Sequence, residues 1–232
     1  MIILKTHRLS LNSGALRAEG LTVVIDVFRA FTTAAYVMHN DAESIVPVET
    51  VEDAFRLKGE HPDWLLMGEV DGVKVEGFDY GNSPHEVKEL DFKGKTLIQR
   101  TSAGTKGIIL AHNADEILLG SFVTADAIVD YIKGRNPEVV SLVAMGWNGK
   151  ENTPEDEYLA EYVEMKLRGR TPDFRDMKMK IRESSYGAKF FDSEKPEFVE
   201  GDFHAAMDLN RFNFVLRVNR DIGLHVEKIS ES

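Results

Sequence analysis

The residues of this chain that could do chemistry stand where its hydrophobic runs stop. In TVVIDVFRAFTT, Asp26 closes an apolar run, Arg29 follows within a turn, and Thr32 and Thr33 come just beyond. A carboxylate that ends so apolar a segment is costly unless it is paired or metal-bound. Arg29 beside hydroxyls at a helix start suits a phosphate or sulfonate. It equally suits an ion pair with Asp26, and Asp26 could itself accept the amides of the helix it precedes.

The same placement recurs. Glu69 follows LLMG, the turn RTSAGTKG follows TLIQ, and Glu155 and Asp156 open a helix beyond LVAMG. Together Asp26, Glu69, Glu155 and Asp156 would supply oxygen ligands to a hard cation such as Mg²⁺. Thr101, Ser102, Gly104 and Thr105 make a turn whose amides could form an anion nest. Asn82 and Ser83, in GNSPHE, could face an anion as well. Plainer roles compete with each of these. Asp71 and Asp79 rival Glu69, and Ser83, Pro84 and Glu86 read as a capping box. Acids in a first helical turn complement the macrodipole without any further role.

Several chemistries are excluded. There is no cysteine, so thiolate ligands, disulfides and a cysteine nucleophile are absent. No G-x-x-x-x-G-K-[ST] or post-strand G-x-G-x-x-G occurs, and the seven histidines show no H-x-x-x-H spacing. A dehalogenase-type phosphatase would carry a second Asp two residues after the first; here that position is Phe28.

These groups need elements to hold them. TVVIDV, ESIVPVE, DWLLMGE, KTLIQR, DEILLGS and VVSLVAMG read as strands. VEDAFRLKGE, TADAIVDYIKG and TPEDEYLAEYVEMKLRG read as helices, the second capped by Thr124 and closing near Gly134. The third takes Thr153 as N-cap, Pro154 as its first residue and Gly169 as its stop. Alternation of this kind predicts an α/β fold with a mainly parallel sheet flanked by helices, whose ligands sit beyond the carboxyl ends of the strands. After Gly169 the pattern is mixed, with a terminal strand pair or helix end in FVLRVNRDIGLHVEKI. The expected division is a core over 1–170 and an α+β extension over 171–232 packed on it, unless the two are one continuous domain.

Across 232 residues the chain is 43% hydrophobic and 29% charged, with a net charge of −11. That balance speaks against coating nucleic acid or an anionic membrane, while a metal and local arginines could still admit a small anion. MIILKTHRLSLN lacks the apolar core and cleavage site of a signal peptide, so the expected location is cytoplasmic.

Taken in order, D-x-x-R-A-x-x-T, G-E, G-N-S-P, T-x-x-G-T, G-S-F and E-D resemble the 2-phosphosulfolactate phosphatase family, the ComB-type enzymes of coenzyme M biosynthesis. The resemblance spans about residues 23–169. It implies a ComB-like fold, Mg²⁺, and hydrolysis of the phosphate ester of a small sulfonated hydroxy acid. In that frame Asp26, Arg29 and Glu69 are the expected catalytic residues. Arg29, Thr32, Asn82, Ser83, Thr101, Ser102, Gly104 and Thr105 would bind substrate, and Asp26, Glu69, Glu155 and Asp156 would bind the metal. The expected partner is a small phosphorylated anion, with neither nucleic acid nor membrane and with room for a homo-oligomer. Two departures stand out. Ala103 replaces the polar amide of the family's usual T-T-N-G-T, and Phe28 and Phe31 crowd the first motif. A non-catalytic sensor of an anionic metabolite would use many of the same residue types; several carboxylates around one cleft favour an enzyme.

Overall fold

The computed structural model describes residues 5–221 and 223–230, so the first four residues of the N-terminal stretch lie outside the described residues. The chain opens with β1 (Lys5–Ser10), α1 (Leu11–Ala15), β2 (Gly20–Ile25) and α2 (Ala30–His39). It continues through β3 (Ser44–Val48), α3 (Val51–Glu60), β4 (Leu65–Val70), β5 (Val73–Lys74) and α4 (Pro84–Val87). Next come β6 (Thr96–Arg100), α5 (Gly104–Leu110), β7 (Ala114–Gly120), α6 (Ala125–Arg135), β8 (Val139–Ala144) and α7 (Pro154–Leu167). The last third holds α8 (Phe174–Glu183), α9 (Ser185–Ala188), α10 (Glu200–Ala206), β9 (Phe214–Asn219) and β10 (His225–Ser230).

Among the described residues the strands form one ten-stranded sheet, ordered β1-β8-β2-β7-β9-β10-β3-β6-β4-β5. Two parallel blocks, β1-β8-β2-β7 and β3-β6-β4, are separated by the β9–β10 hairpin. The hairpin joins them through three antiparallel pairings, so the blocks run in opposite senses along the sheet. Strands β9 and β10 of the C-terminal region thus lie mid-sheet, between the two parallel blocks.

Strand β1 was not among the sequence-predicted strands. KTHRLS lies at the sheet edge with no residue fully buried, so its polar composition gives no periodic signal. Helix α2 is the opposite case. All of Ala30–Met38 is buried, as expected of a helix that is apolar on every side. It shares one core with Val24, Leu119 and Val143 of the first block, Ile45, Met67 and Leu97 of the second, and Ile108 of α5. Helix α2 thus packs against strands of both blocks. Leu21, Val23 and Ile25 point the other way, into a second core with residues of α6, α7 and α10. Both faces of β2 are covered, which accounts for its unbroken apolar run. Helix α6 ends at Asn136 in the left-handed conformation, two residues past the expected Gly134. No helix of the described residues is long and apolar enough to cross a membrane.

Candidate active site

Asp26 follows β2 directly. Its carbonyl accepts the Phe31 amide at 3.0 Å, and Oδ1 accepts the Ala30 amide at 3.1 Å, so the residue does cap α2. The carboxyl is 6% exposed at the wall of a cleft. Burial pushes its pKa up to about 7; the Ala30 amide opposes this and the charge of Glu69 adds to it. Gly104 packs against it so tightly that a Cβ would stand 2.8 Å from Asp26 Oδ2 and 2.9 Å from the Phe31 ring.

Glu155 and Asp156 lie in the first turn of α7, both buried. Burial raises Glu155 to about 7, with the charge of Asp26 pushing the same way, and Glu155 Oε2 is buried without a hydrogen-bond partner. Asp156 is driven well above the usual carboxylate range by burial first, then by the charges of Glu155 and Asp26. Its oxygens accept the Val27 and Gly146 amides, each at 2.8 Å, and so tie the β2–α2 turn to the loop after β8.

The second block supplies the facing wall. Glu69 Oε1 accepts the Ser102 amide at 2.6 Å, while Oε2 takes the Gly72 amide and the Ser102 hydroxyl. Thr101 and Thr105 cap each other: the Thr101 amide donates to Thr105 Oγ1 at 3.1 Å, and the Thr105 amide to Thr101 Oγ1 at 3.0 Å. The amides expected to form an anion nest are thus largely engaged within the protein. Asn82 is buried with its Oδ1 unpartnered, and it lines the cleft.

Asp26, Arg29, Glu69, Asn82 and Ser102 meet in this one cleft, between the rings of Phe28, Trp147 and Phe198. The space in it that can hold water-sized molecules is about 30 Å³. Two expected ligand-binding hydroxyls are directed elsewhere. Thr32 is fully buried and donates to the Val27 carbonyl at 2.8 Å, because a threonine one turn into a buried helix satisfies its hydroxyl on nearby backbone. Ser83 caps α4 through the Glu86 amide at 3.1 Å and donates to Asp202. Arg29 does not pair with Asp26. Its Nη1 donates to Asp202 Oδ2 and the Glu197 carbonyl, both at 2.8 Å, and Nη2 to the Gly72 carbonyl at 2.7 Å.

Sequence reasoning missed two charged residues here. Asp202 is fully buried and reads in the sequence as an ordinary acid of a first helical turn. Lys189 lies in SYGAKFF, and the signal available was a lone lysine inside an apolar, aromatic run. Its Nζ sits 4.3 Å from the Trp147 ring centre and 4.2 Å from that of Phe198. Burial lowers its pKa to about 8, against the pull of Glu155.

Among the described residues no three carboxylate or imidazole side chains stand close enough to make a complete ligand set. The oxygens still suit a water-rich ion, because Mg²⁺ commonly binds through one or two carboxylates and keeps several waters. Asp26 and the unpartnered Glu155 Oε2 offer two, with the neutral Asn82 Oδ1 as a third oxygen. Glu69 and Asp156, expected as further ligands, already hold two amides each.

The family model described as 2-phosphosulpholactate phosphatase matches residues 7–221. A protein of Bacillus subtilis (strain 168) named "Probable 2-phosphosulfolactate phosphatase" is 32% identical over 210 residues, covering 89% of this chain and 90% of that protein. One of the same name from Carboxydothermus hydrogenoformans is 46% identical over 118 residues, 51% of this chain and 49% of the relative. Another from Thermotoga petrophila is 38% identical over 146 residues, 63% and 62% of the two chains.

Proposed function

Since the chain belongs to the 2-phosphosulpholactate phosphatase family, we propose that it hydrolyses the phosphate ester of a small sulfonated hydroxy acid, 2-phosphosulfolactate foremost. The observation that carries the site assignment is that Asp26, on the wall of one small cleft with Glu69 and Asn82, interacts through its charge with the buried Glu155, both having pKa values near 7. Asp26, Glu69 and Glu155 come from three distant segments, and their charges raise one another's cost of ionising: Glu69 acts on Asp26, and Asp26 on Glu155.

In the reaction water attacks phosphorus, the P–O bond to the hydroxy acid breaks, and orthophosphate and the alcohol leave. Asp26 and Glu155 would hold Mg²⁺, which when bound would polarise the phosphoryl group and lower the pKa of water. Where it does not ligate the ion, Asp26, titrating near neutrality, is suited instead to take the proton of the attacking water. Asn82 offers its unpartnered oxygen to orient that water. Phe28, Trp147 and Phe198 wall the cleft and limit competing solvent. Glu69, Asp156 and Arg29 act as positioning residues, holding the Ser102, Gly72, Val27 and Gly146 backbone in place. In this reading the partner is the small anion alone, without nucleic acid or membrane. The location is cytoplasmic, and a homo-oligomer remains compatible because one chain supplies every cleft residue named.

Phosphate release from 2-phosphosulfolactate and from its carboxylate analogue, each with Mg²⁺ and with EDTA, tests the proposal. We expect Mg²⁺-dependent turnover that favours the sulfonate. Equal turnover in EDTA would remove the ion from the scheme, and preference for the carboxylate would change the substrate class.

A further inference from the structure

Arg29 and Lys189 are both cations buried beside the cleft, and they differ in what holds them. Arg29 is saturated by Asp202, the Glu197 carbonyl and the Gly72 carbonyl. Lys189, only 8% exposed, forms neither a hydrogen bond nor an ion pair among the described residues. Its ammonium instead stands over Trp147 and Phe198, two rings that line the cleft. Ring faces attract a cation but accept none of its three N–H groups in the ordinary way. An ammonium that has lost much of its water and has no protein acceptor gains from the arrival of an anion.

The neighbouring carboxylates do not fill that place, because Glu155 and Asp26 act on Lys189 through space without forming a contact pair. Nor is the Thr101–Thr105 turn free to do so. The amides of Thr101, Ser102 and Thr105 are held by Thr105, Glu69 and Thr101 respectively. We propose that Lys189 is the phosphoryl-binding residue of the cleft, its ammonium donating to the non-bridging oxygens of the ester and then to product orthophosphate. The identity of the ester rests on the reading above; the contact itself requires only orthophosphate, so the two can fail separately.

Lys189→Met keeps an unbranched stem among the aromatic rings and removes the charge. Inorganic phosphate is the probe, read as product inhibition of aryl phosphate turnover and as a phosphate-induced rise in Tm. The expected result is an unchanged or higher Tm with phosphate inhibition and KM each weakened about 10- to 100-fold, the scale of losing hydrogen bonds to a charged group. Lys189→Arg recovers part of both. A variant with native phosphate inhibition overturns the assignment, whatever its kcat. If Lys189→Met does not fold, acylation of Lys189 in the wild-type protein, followed by peptide mass, decides instead: phosphate slows it, or the assignment falls. Phosphate binding through Lys189 without turnover of any sulfonated ester would keep the lysine and remove the substrate class. Turnover with an unmoved inhibition constant in the variant would do the reverse.

Discussion

On the wall supplied by β4 and β6, Glu69 spends its oxygens on the Ser102 and Gly72 amides, and Thr101 and Thr105 satisfy each other. Across the cleft, Asp26 holds one close amide and Glu155 leaves Oε2 with none, Asp156 behind them bracing two loops. The two walls draw on the same residue types and use them oppositely. Burial drives Asp26 and Glu155 up to about 7 and, despite its two amides, Asp156 well above the usual carboxylate range. Residue type alone therefore does not separate a reacting acid from a bracing one. An oxygen left without a partner, as on Glu155, does.

The sharpest way to break this contrast is to remove the same charge from each wall. Asp26→Asn is expected to lower kcat by roughly 10³-fold, within the usual range for a lost acid–base group. Its Tm at pH 8 should hold or rise, because a desolvated charge has gone. Glu69→Gln should do the reverse. It places an amide NH₂ against one of two backbone donors, costs about 1–3 kcal/mol of stability, and lowers kcat less than about tenfold in the folded fraction. Steady-state phosphate release paired with thermal melts reads both. Swapped phenotypes would mean that Glu69 reacts and Asp26 braces.

How far these roles were legible beforehand follows from the same contrast. Apolar runs with acids nearby pointed to Asp26, Glu69 and the Glu155–Asp156 pair because strand burial is a local property. Only Asp26 follows its strand directly; Glu69 lies inside β4 and the pair opens α7. Arg29 was legible as a site residue but not as the partner of Asp202, which lies in a helix far along the chain. Lys189 was hidden for a similar reason: its meaning comes from Trp147 and Phe198, brought to it by folding. The mid-sheet place of β9 and β10 was likewise out of reach, since a hairpin read from sequence does not name its neighbours.

A smaller effect, specific to the Asp26 wall, concerns pH. Asp26 and Glu155 titrate near 7 in the folded chain and at about 4 when unfolded. Between those values the folded state binds more protons, so stability falls as pH rises from about 4 to about 7 and levels off above. In the proposed scheme Mg²⁺ would bind the deprotonated pair, so its addition should raise Tm by roughly 5 °C more at pH 8 than at pH 5. Asp26→Asn should flatten both trends. A metal-free protein whose Tm ignores pH over that window would count against a desolvated pair.

The smallest expected change belongs to the opposite wall. Thr105→Val keeps the shape of a fully buried side chain and deletes the hydroxyl that accepts the Thr101 amide and donates to the Thr101 carbonyl at 3.0 Å. The Thr105 amide keeps its own acceptor, Thr101 Oγ1, so only one side of the reciprocal cap is lost. About 1–2 kcal/mol of stability should go, the range for an N-cap hydroxyl, measured as a shift in denaturant midpoint at constant slope. KM, kcat and phosphate inhibition should stay within about twofold, because this hydroxyl is spent on backbone before any substrate arrives. A large rise in KM with native stability would mean that the Thr101–Thr105 turn opens to bind the anion, and the passive wall would then be part of the receptor.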